Sequence, residues 1–152
     1  MDYWLFQGNP DCYRVLDAIR DFDTLEWRVT RLGKEMQPGD GVTVWVSGKA
    51  AGIYALAELT TVPRHVDRFV DGSYWKSAAL TFRPQDQPHA QIRLTAKLLD
   101  SPLLREDLKL DPVLKDLLVL KAPNSINFRV TEGQWERIQE LRGAPYVAAR
   151  AG

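Results

Sequence analysis

Two apolar runs joined by a short glycine-rich connection constrain the fold of this 152-residue chain more than any other feature. The stretch reads VWVSGKAAGIYALAEL from Val44 to Leu59, with one lysine, Lys49, among small residues. Trp45 stands just before the connection and Tyr54 just after it. Apolar runs of this length are typical of buried strands, so the stretch predicts two strands joined by a loop. The loop is either an ordinary hairpin connection or the floor of a pocket that a flat ligand enters.

Other short apolar runs, bounded by turn residues, predict further strands. The predicted strands are Tyr3 to Gln7, Leu25 to Val29, Val42 to Val46, Ile53 to Thr60, Ala78 to Arg83, Gln91 to Leu98 and Phe128 to Val130. In the strand that follows the glycine-rich loop, Ile53, Ala55, Ala57 and Leu59 are expected to share one face. Residues 62–77 mix charges, a proline and adjacent aromatics, which predicts a long loop.

Three segments carry helix signals ahead of the C-terminal one. Apolar residues recur at helical spacing over residues 12–19, with the single cysteine, Cys12, on the expected buried face. The pairs Ser101-Pro102 and Asp111-Pro112 each offer a cap followed by proline at the first helical position. They predict two short helices late in the chain.

The last helix has the clearest start signal. Thr131 and Gln134 have the spacing of a capping box, and Trp135, Ile138 and Leu141 form the expected buried stripe. Strands cluster in the middle of the chain, with helices near its ends and in one late insertion. This order predicts an α+β fold in which a small mixed sheet curls into a barrel and is covered by helices.

Composition excludes several classes of protein. The chain carries 20 Lys and Arg residues against 20 Asp and Glu residues, so any nucleic-acid contact must come from a local patch. One cysteine excludes a disulfide framework and favours a reducing compartment. The N-terminus MDYWLFQGNPD lacks the features of a signal peptide or membrane span, which predicts a cytoplasmic protein without a membrane partner. The length predicts one domain over residues 1–152.

Catalytic and cofactor motifs are not apparent. The stretch SGKAAG lacks the spacing of a phosphate-binding loop, and it lies between two predicted strands. His65, His89 and Cys12 do not suffice for a closed zinc site, and Cys12 is expected to be core rather than a nucleophile. No carboxylate pair has a recognisable spacing. The sequence therefore favours a binding protein without cofactor or metal over an enzyme.

Five tryptophans are many for a chain of this size, and their positions separate them. Trp4 and Trp135 lie on regular apolar stripes and are expected to be core residues. Trp27, Trp45 and Trp75 lie near predicted strand ends or loops, where indole faces can stack on a flat heterocycle. Side chains that could hydrogen-bond to its polar edge stand at turns, namely Asn9, Ser47, Asn124 and Asn127.

The stretches YWLFQGNP, LEWRV, QPGDGVTVWVSGKAAGIYALAEL and NSINFRVTEGQWERI, in that order, resemble the EVE domain family. The similarity runs from about Tyr3 to Leu141, and the P-G-D, S-G and A-G-I elements are its most specific part. Where the family often shows G-T-N-F, this chain keeps only Asn127 and Phe128. The resemblance implies a PUA-like small mixed β-barrel with flanking helices. It also implies a reader that accepts a flipped modified base, a modified cytosine above all, in an aromatic pocket.

The resemblance assigns roles to individual residues. The small residues of the glycine-rich loop would let backbone or ligand approach closely. A further comparison with the similar YTH domains, which hold a methylated adenine in an aromatic cage, would place the start of the pocket at Gln7, Gly8 and Asn9. The implied base-binding residues are Asn9, Trp27, Trp45, Ser47, Gly48, Gly52, Trp75, Asn127 and Phe128. The implied phosphate contacts are Arg28, Arg31, Lys34, Lys49, Arg64 and Lys76.

The expected partner is DNA or RNA that carries a modified base, bound by a monomer. A small-molecule or free-nucleoside pocket without catalysis is the alternative, since the neutral overall charge suits it. The segment from Glu26 to Lys97 contains more Lys and Arg than Asp and Glu, which favours the polymer. Salt dependence of binding separates the two alternatives.

Overall fold

A computed structural model describes residues 1–66 and 87–142, and the structural statements that follow concern those residues. Their strands form one mixed sheet in the order β2-β5-β4-β3-β1-β7, with the short β6 paired to β4. Only β1 and β3 run parallel, and the other pairs are antiparallel. The strands are Tyr3–Gly8 (β1), Thr24–Arg28 (β2), Gly41–Val46 (β3), Gly52–Leu59 (β4), His89–Lys97 (β5), Leu103–Leu104 (β6) and Asn127–Val130 (β7).

The predicted strands in this part of the chain are confirmed to within two residues at each end. The predicted strand Ala78 to Arg83 and most of the predicted loop over residues 62–77 lie outside the described residues. The helices are Val15–Asp21 (α1), Arg105–Leu108 (α2), Leu118–Lys121 (α3) and Glu132–Arg142 (α4), with 3-10 helices at Arg31–Glu35 and Leu114–Asp116.

The first helix begins later than the sequence predicts. The carbonyl of Asn9 accepts hydrogen bonds from the N–H groups of Cys12 (3.0 Å) and Tyr13 (3.1 Å), which closes a turn ahead of α1. Cys12 therefore lies in this turn and is half-buried, so its assignment to the buried face of a helix was wrong. The apolar residues keep a helical spacing across this turn, because such a turn, like a helix, brings residues three and four apart close together.

One of the two proline pairs starts a helix and the other does not. The carboxylate of Asp111 accepts hydrogen bonds from the N–H groups of Val113 (2.9 Å) and Leu114 (3.0 Å) and so caps the short 3-10 helix. Ser101-Pro102 is instead followed by β6, which pairs with β4. The prediction of a helix directly after Ser101 was wrong, because tertiary pairing with β4 decides the conformation there.

The capping box of the last helix is confirmed. The N–H of Gln134 donates to Thr131 Oγ1 (3.1 Å), and the N–H of Thr131 donates to Gln134 Oε1 (3.0 Å). Ile138 is fully buried, but Trp135 is only half-buried and stacks on Tyr3 with ring centroids 4.9 Å apart. Trp135 thus packs at the edge of the core, whereas the sequence predicted a core position.

The P-G-D motif is a structural device. One carboxylate oxygen of Asp40 accepts hydrogen bonds from Trp4 Nε1 (2.9 Å) and from the N–H of Gln37 (3.0 Å). The other accepts a hydrogen bond from the N–H of Asp2 (3.1 Å). Asp40 thereby ties the start of β1 to the turn before β3, the two strands that pair in parallel.

Apolar residues cover both faces of the sheet. The core between one face and α1 includes Trp4, Phe6, Val15, Ile19 and Trp27. The core between the other face, α4 and the segment from α2 to α3 includes Leu5, Trp45, Ile53, Leu114, Phe128 and Ile138. Because β3 and β4 are buried on both faces, their sequences read as nearly continuous apolar runs.

A β-bulge corrects the predicted faces of β4. Val44 pairs with Ala55, but the next residue of β3, Trp45, pairs with Ile53, so Tyr54 is an extra residue in β4. Ile53 therefore joins the face of Trp45, while Ala55 remains on the opposite face. The pairing of β4 with β5 contains a second register shift, between Leu56 and Ala57. Bulges bend a strand and increase its twist, which is how this sheet curls into a half-barrel.

The two edge strands of the curled sheet, β2 and β7, are joined by a side chain rather than by a strand ladder. Asn127 accepts a hydrogen bond from the N–H of Thr30 (2.8 Å) and donates one to the carbonyl of Arg28 (3.1 Å). Its amide thus satisfies one backbone donor and one backbone acceptor across the gap. We call this boundary the seam.

Candidate functional site

A pocket of about 260 Å³ opens beside the seam. The end of β1, the turn before α1, the strand β2 and the residue before β7 all contribute to its wall. The lining residues are Gln7, Gly8, Asn9, Cys12, Tyr13, Glu26, Trp27, Arg28 and Ile126. Sequence positions that span the described chain therefore converge on one concavity, and two of the predicted base-binding residues, Asn9 and Trp27, are among them.

The apolar wall is built around the Trp27 indole. Trp27 is 6% exposed, and its ring lies 6.3 Å from that of Phe6 in a tilted arrangement. A Cβ at Gly8 would lie 3.1 Å from the Trp27 ring and 2.8 Å from Val15 Cγ2, so glycine is needed for this close approach. Tyr13, also buried, supplies a second aromatic side chain to the lining.

Two side-chain amides in the wall have orientations fixed by the backbone around them. Gln7 Nε2 donates to the carbonyls of Pro123 (3.0 Å) and Ser125 (2.7 Å), which leaves Oε1 as the other end of the amide. Asn9 Oδ1 accepts the N–H of Asp11 (2.9 Å), which leaves its NH2 group as the other end. Both amides are therefore held in one orientation by backbone groups.

Charged groups stand on the β2 side of the pocket. The guanidinium of Arg64 forms a bidentate ion pair with Glu26, at 2.6 and 2.8 Å, so the carboxylate is neutralised where it lines the pocket. Arg64, predicted to contact phosphate, is therefore held by a protein carboxylate. Arg28, another predicted phosphate contact, lines the pocket itself, where burial lowers the pKa of its guanidinium.

Two predicted base-binding residues lie away from the pocket. Trp45 is 2% exposed and packs in the opposite core with Leu5 and Ile53. Phe128 belongs to the same core, since it pairs with Leu5 across β1 and β7. Both side chains point to the face of the sheet covered by α4, because alternate residues of a strand face opposite sides.

The glycine-rich loop borders the pocket without lining it. The N–H of Ser47 donates to the carbonyl of Gly8 (3.0 Å), which attaches the loop to the end of β1. Gly48 has a φ of +109°, a conformation that favours glycine. At Gly52, a Cβ would lie 2.8 Å from Leu104 Cα, so this glycine admits the backbone of β6 rather than a ligand.

Asn127, a predicted base-binding residue, is 2% exposed and lies behind the pocket wall. Its amide is engaged by Arg28 and Thr30, so it positions the end of β2. Ile126, its neighbour, is the residue of this segment that reaches the pocket. The remaining predictions, Trp75 for the base and Lys76 for phosphate, lie outside the described residues.

Three predicted phosphate contacts are exposed cations that do not line the pocket. Arg31 and Lys34 lie on the 3-10 helix that follows β2, and Lys49 lies in the glycine-rich loop. In residues 1–66 and 87–142, none of the three forms an ion pair. Lys34 lines a second concavity, of about 320 Å³, with Val29 and Pro63.

Four lining residues were not assigned to the site from the sequence: Cys12, Tyr13, Glu26 and Ile126. Tyr13 could have been found as an aromatic three residues after the proline of the Gly-Asn-Pro turn. Cys12 and Ile126 carry no local signal, because their places in the lining depend on how distant segments meet. Across the part of the chain that is described, no cluster of three His, Cys, Asp or Glu side chains could hold a metal ion.

Sequence comparison decides the family. The model of the EVE domain family matches residues 2–141. The chain belongs to the EVE domain family. No curated protein sequence matches it. No helix within the described ranges of this EVE domain is long and apolar enough to cross a membrane.

Solved structures resemble the EVE domain over nearly its whole length. A hypothetical protein from Leishmania major has a TM-score of 0.72 at 18% identity, covering 96% of this chain and 97% of that one. A protein from Pseudomonas putida has a TM-score of 0.67 at 19% identity, covering 92% and 99%. Human THYN1 protein, solved in complex with 5-methylcytosine-containing DNA, has a TM-score of 0.68 at 12% identity, covering 93% and 97%. At these identities the likeness concerns the fold, and the predicted PUA-like fold is confirmed.

Proposed function

We propose that this EVE domain is a nucleic-acid-binding reader module that holds a flipped modified base, a modified cytosine, in the pocket beside Trp27. The observation that carries the proposal is the pocket itself, in which a buried indole stands beside amides of fixed orientation. An indole can stack on any base, and the amides can hydrogen-bond to a base edge. The human THYN1 structure, which holds 5-methylcytosine-containing DNA, adds support at the level of the fold.

The exposed cations favour a polymer over a free nucleoside. Arg31, Lys34 and Lys49 form no ion pair with any described residue, whereas many other cations of the surface do. Unpaired cations attract phosphates, and binding to a phosphate releases the counterions that surround the nucleic acid. We propose that these three residues contact the strand that leads the base into the pocket.

The proposed activity is binding without catalysis. Flipping a base out of a duplex costs a few kcal/mol, so the pocket must offset that cost by stacking and hydrogen bonds. A single strand avoids most of this cost, and either DNA or RNA can present a base in that form. The described lining comes from a single chain, so a monomer would suffice.

Matched oligonucleotides test the proposal. Strands of DNA and of RNA that differ only in one cytosine, unmodified, 5-methylated or 5-hydroxymethylated, are titrated against the protein at several salt concentrations. A modified strand should bind more tightly, and log K should fall linearly with log salt. Equal affinity for modified and unmodified strands would disprove the reader function. An affinity that does not change with salt concentration would support a free-nucleoside pocket instead.

Charge variants test the polymer contact separately. Arg31→Ala, Lys34→Ala and Lys49→Ala should each weaken modified and unmodified strands alike and reduce the salt slope by about one. Lys115→Ala is the matched control, since Lys115 is also exposed and unpaired among the described residues but lies on the segment between α2 and α3. If Lys115→Ala changed the slope as much, the contact would not be local to the pocket.

A further inference from the structure

We propose that Tyr54 is a positioning residue for nucleic-acid binding, because its hydroxyl group holds the glycine-rich loop (residues 47–51) in the conformation in which Lys49 meets a phosphate of the strand. The inference rests on the proposed function, since it takes Lys49 as a phosphate contact. It goes beyond that function because Tyr54 itself lies beneath the loop and touches neither the base nor the strand.

The contact between Tyr54 and the loop is one hydrogen bond with defined ends. Tyr54 Oη donates to the carbonyl of Ala50 at 2.5 Å, and Tyr54 is only 6% exposed whereas Ala50 is exposed. A carbonyl can only accept, so the phenol is the donor and keeps its proton. Burial also raises the pKa of Tyr54 above its usual value. The bond therefore persists throughout the neutral pH range.

The ring of Tyr54 is fixed at its other end. Tyr54 is the extra residue of β4 at the β-bulge, and its side chain belongs to the same core as Phe6 and Trp27. That core forms the apolar wall of the pocket beside the seam. One side chain thus connects the wall of the pocket to the loop that carries Lys49.

The ends of the loop are held by backbone hydrogen bonds. The N–H of Ser47 donates to the carbonyl of Gly8 (3.0 Å), and the carbonyl of Ala51 accepts the N–H of the first residue of α2 (2.8 Å). The N–H of Ala51 also donates to the carbonyl of Gly48 (3.2 Å), which closes a turn that contains Lys49. The Tyr54 hydroxyl can therefore be removed while these backbone bonds remain.

A fixed loop matters to Lys49 because the lysine is exposed and forms no ion pair in the described parts of the chain. Its side chain is long and flexible, so a phosphate contact costs less conformational entropy when the backbone beneath it is already ordered. Loss of the hydroxyl leaves the charge in place and loosens its support. Affinity should fall for modified and unmodified strands alike, because both contain the phosphate.

A double-mutant cycle of Tyr54→Phe and Lys49→Ala tests the inference on the full chain, with single strands that carry cytosine or 5-methylcytosine. Tyr54→Phe should weaken both strands about fivefold when Lys49 is present and should have no effect when residue 49 is alanine. An equal loss in the two backgrounds would overturn the inference, because Tyr54 would then act without Lys49. An unchanged affinity in the presence of Lys49 would overturn it as well.

Arg31→Ala provides the matched background. Arg31 is also an exposed cation that we propose as a phosphate contact, but it lies on the 3-10 helix after β2. The fivefold loss caused by Tyr54→Phe should remain in this background. A loss that vanished with Arg31→Ala as well as with Lys49→Ala would mean that Tyr54 acts on the whole binding surface, which would overturn the inference.

Gly48→Ala keeps the inference testable if Tyr54→Phe does not fold. The φ of Gly48 is +109°, which strains any other residue, and an added Cβ would lie at an ordinary contact distance, 3.6 Å, from Pro10 Cγ. The change therefore disturbs the loop backbone without touching Tyr54. It should weaken both strands when Lys49 is present and have no effect in Lys49→Ala, and an equal loss in both backgrounds would overturn the inference.

The inference and the proposed function fail in different ways. Equal affinity for cytosine and 5-methylcytosine, with a loss that depends on Lys49, would disprove the reader function and support the inference. A preference for 5-methylcytosine that survives while Lys49→Ala changes neither affinity nor salt slope would overturn the inference and leave the base-reading proposal standing. Failure to bind either strand would overturn both.

Discussion

The centre of the sheet and its seam are held together in different ways. At the centre, β3 is paired on both sides by backbone ladders, to β1 and to β4, and Trp45 is enclosed beneath α4. At the seam, the edge strands β2 and β7 are joined through the side chain of Asn127, and Trp27 borders an open pocket. A ladder leaves no room between strands, whereas a side-chain bridge leaves space beside it.

The two tryptophans show what this difference teaches. Trp27 and Trp45 are both almost fully buried, at 6% and 2% exposure, and both lie on strands. Burial alone therefore does not distinguish a binding wall from a core residue. The distinction lies in what the side chain faces, which is a void beside the seam in one case and packed side chains in the other.

Truncation at the centre should have the largest effect on stability. Trp45→Ala is expected to lower the free energy of unfolding by about 3–5 kcal/mol, because it leaves a cavity in a packed core. Urea denaturation measures the loss. At temperatures where the variant is folded, its preference for a modified strand should match that of the wild type. A lost preference with intact stability would place Trp45 in the binding site after all.

Removing the bridge across the seam should have the next largest effect. Asn127→Ala leaves the N–H of Thr30 and the carbonyl of Arg28 without their partner, which we expect to cost about 2–3 kcal/mol. Hydrogen exchange at the Thr30 amide should accelerate along with the loss of stability. Asn124→Ala is the control, since Asn124 is exposed three residues earlier. Equal stability of the two variants would show that the seam needs no bridge.

The indole of Trp27 should matter more for binding than that of Trp45. Trp27→Leu keeps an apolar wall but loses the stacking face, so affinity for a modified strand should fall by about 1–3 kcal/mol. Trp45→Leu serves as the matched change at the centre and should leave affinity unchanged. Fluorescence or calorimetric titration of the folded variants measures both affinities. Equal losses of affinity in the two variants would show that the two tryptophans do not differ in their role in binding.

The smallest expected effect concerns the ion pair between Asp111 and Arg137 of α4, at 2.8 Å, which we call the clasp. Burial alone would raise the pKa of Asp111, but hydrogen bonds from Arg137 and from the N–H groups of Leu114 and Val113 lower it below its usual range. A carboxyl with a depressed folded-state pKa stabilises the fold above its unfolded value, about 3.9, and loses that contribution as pH falls through the folded value.

Asp111→Asn should therefore lower the free energy of unfolding by about 1 kcal/mol at pH 7, and the difference from the wild type should shrink below about pH 4. Urea denaturation across that range measures it. Binding should be unaffected, because the clasp holds the helix that covers the centre of the sheet. A difference that grew in acid would mean that Asp111 has a raised pKa.

Trp27→Ala and Trp135→Ala illustrate how the structure changes an expectation. From the sequence, Trp135 on its helical stripe would be the more important core residue of the two. In the structure Trp135 is half-buried against Tyr3, whereas Trp27 is enclosed by Phe6 and the backbone of Gly8. Trp27→Ala should destabilise the fold more, and this is why the binding test above uses leucine.

Local sequence patterns predicted helix starts correctly where a side chain of the same segment determines the start. The capping box at Thr131 and the cap at Asp111 are confirmed because a side chain bonds to its own next turn. The helix predicted directly after Ser101 begins only at Arg105, because Leu103 and Leu104 pair with β4 ahead of it. The predicted face of Ile53 was wrong because a bulge changes the alternation, and a bulge leaves no mark in the apolar pattern.

The sequence by itself predicted six of the seven described strands, the first and last helices, the family, and Trp27 and Asn9 as candidates for the site. Only the tertiary structure decided that Trp27 faces a pocket and Trp45 does not, and that Asn127 bridges β2 to β7. The physical reason is distance along the chain. Asn127 meets Arg28 across 99 residues, and no local periodicity records which sheet edges will meet or where a gap between them remains.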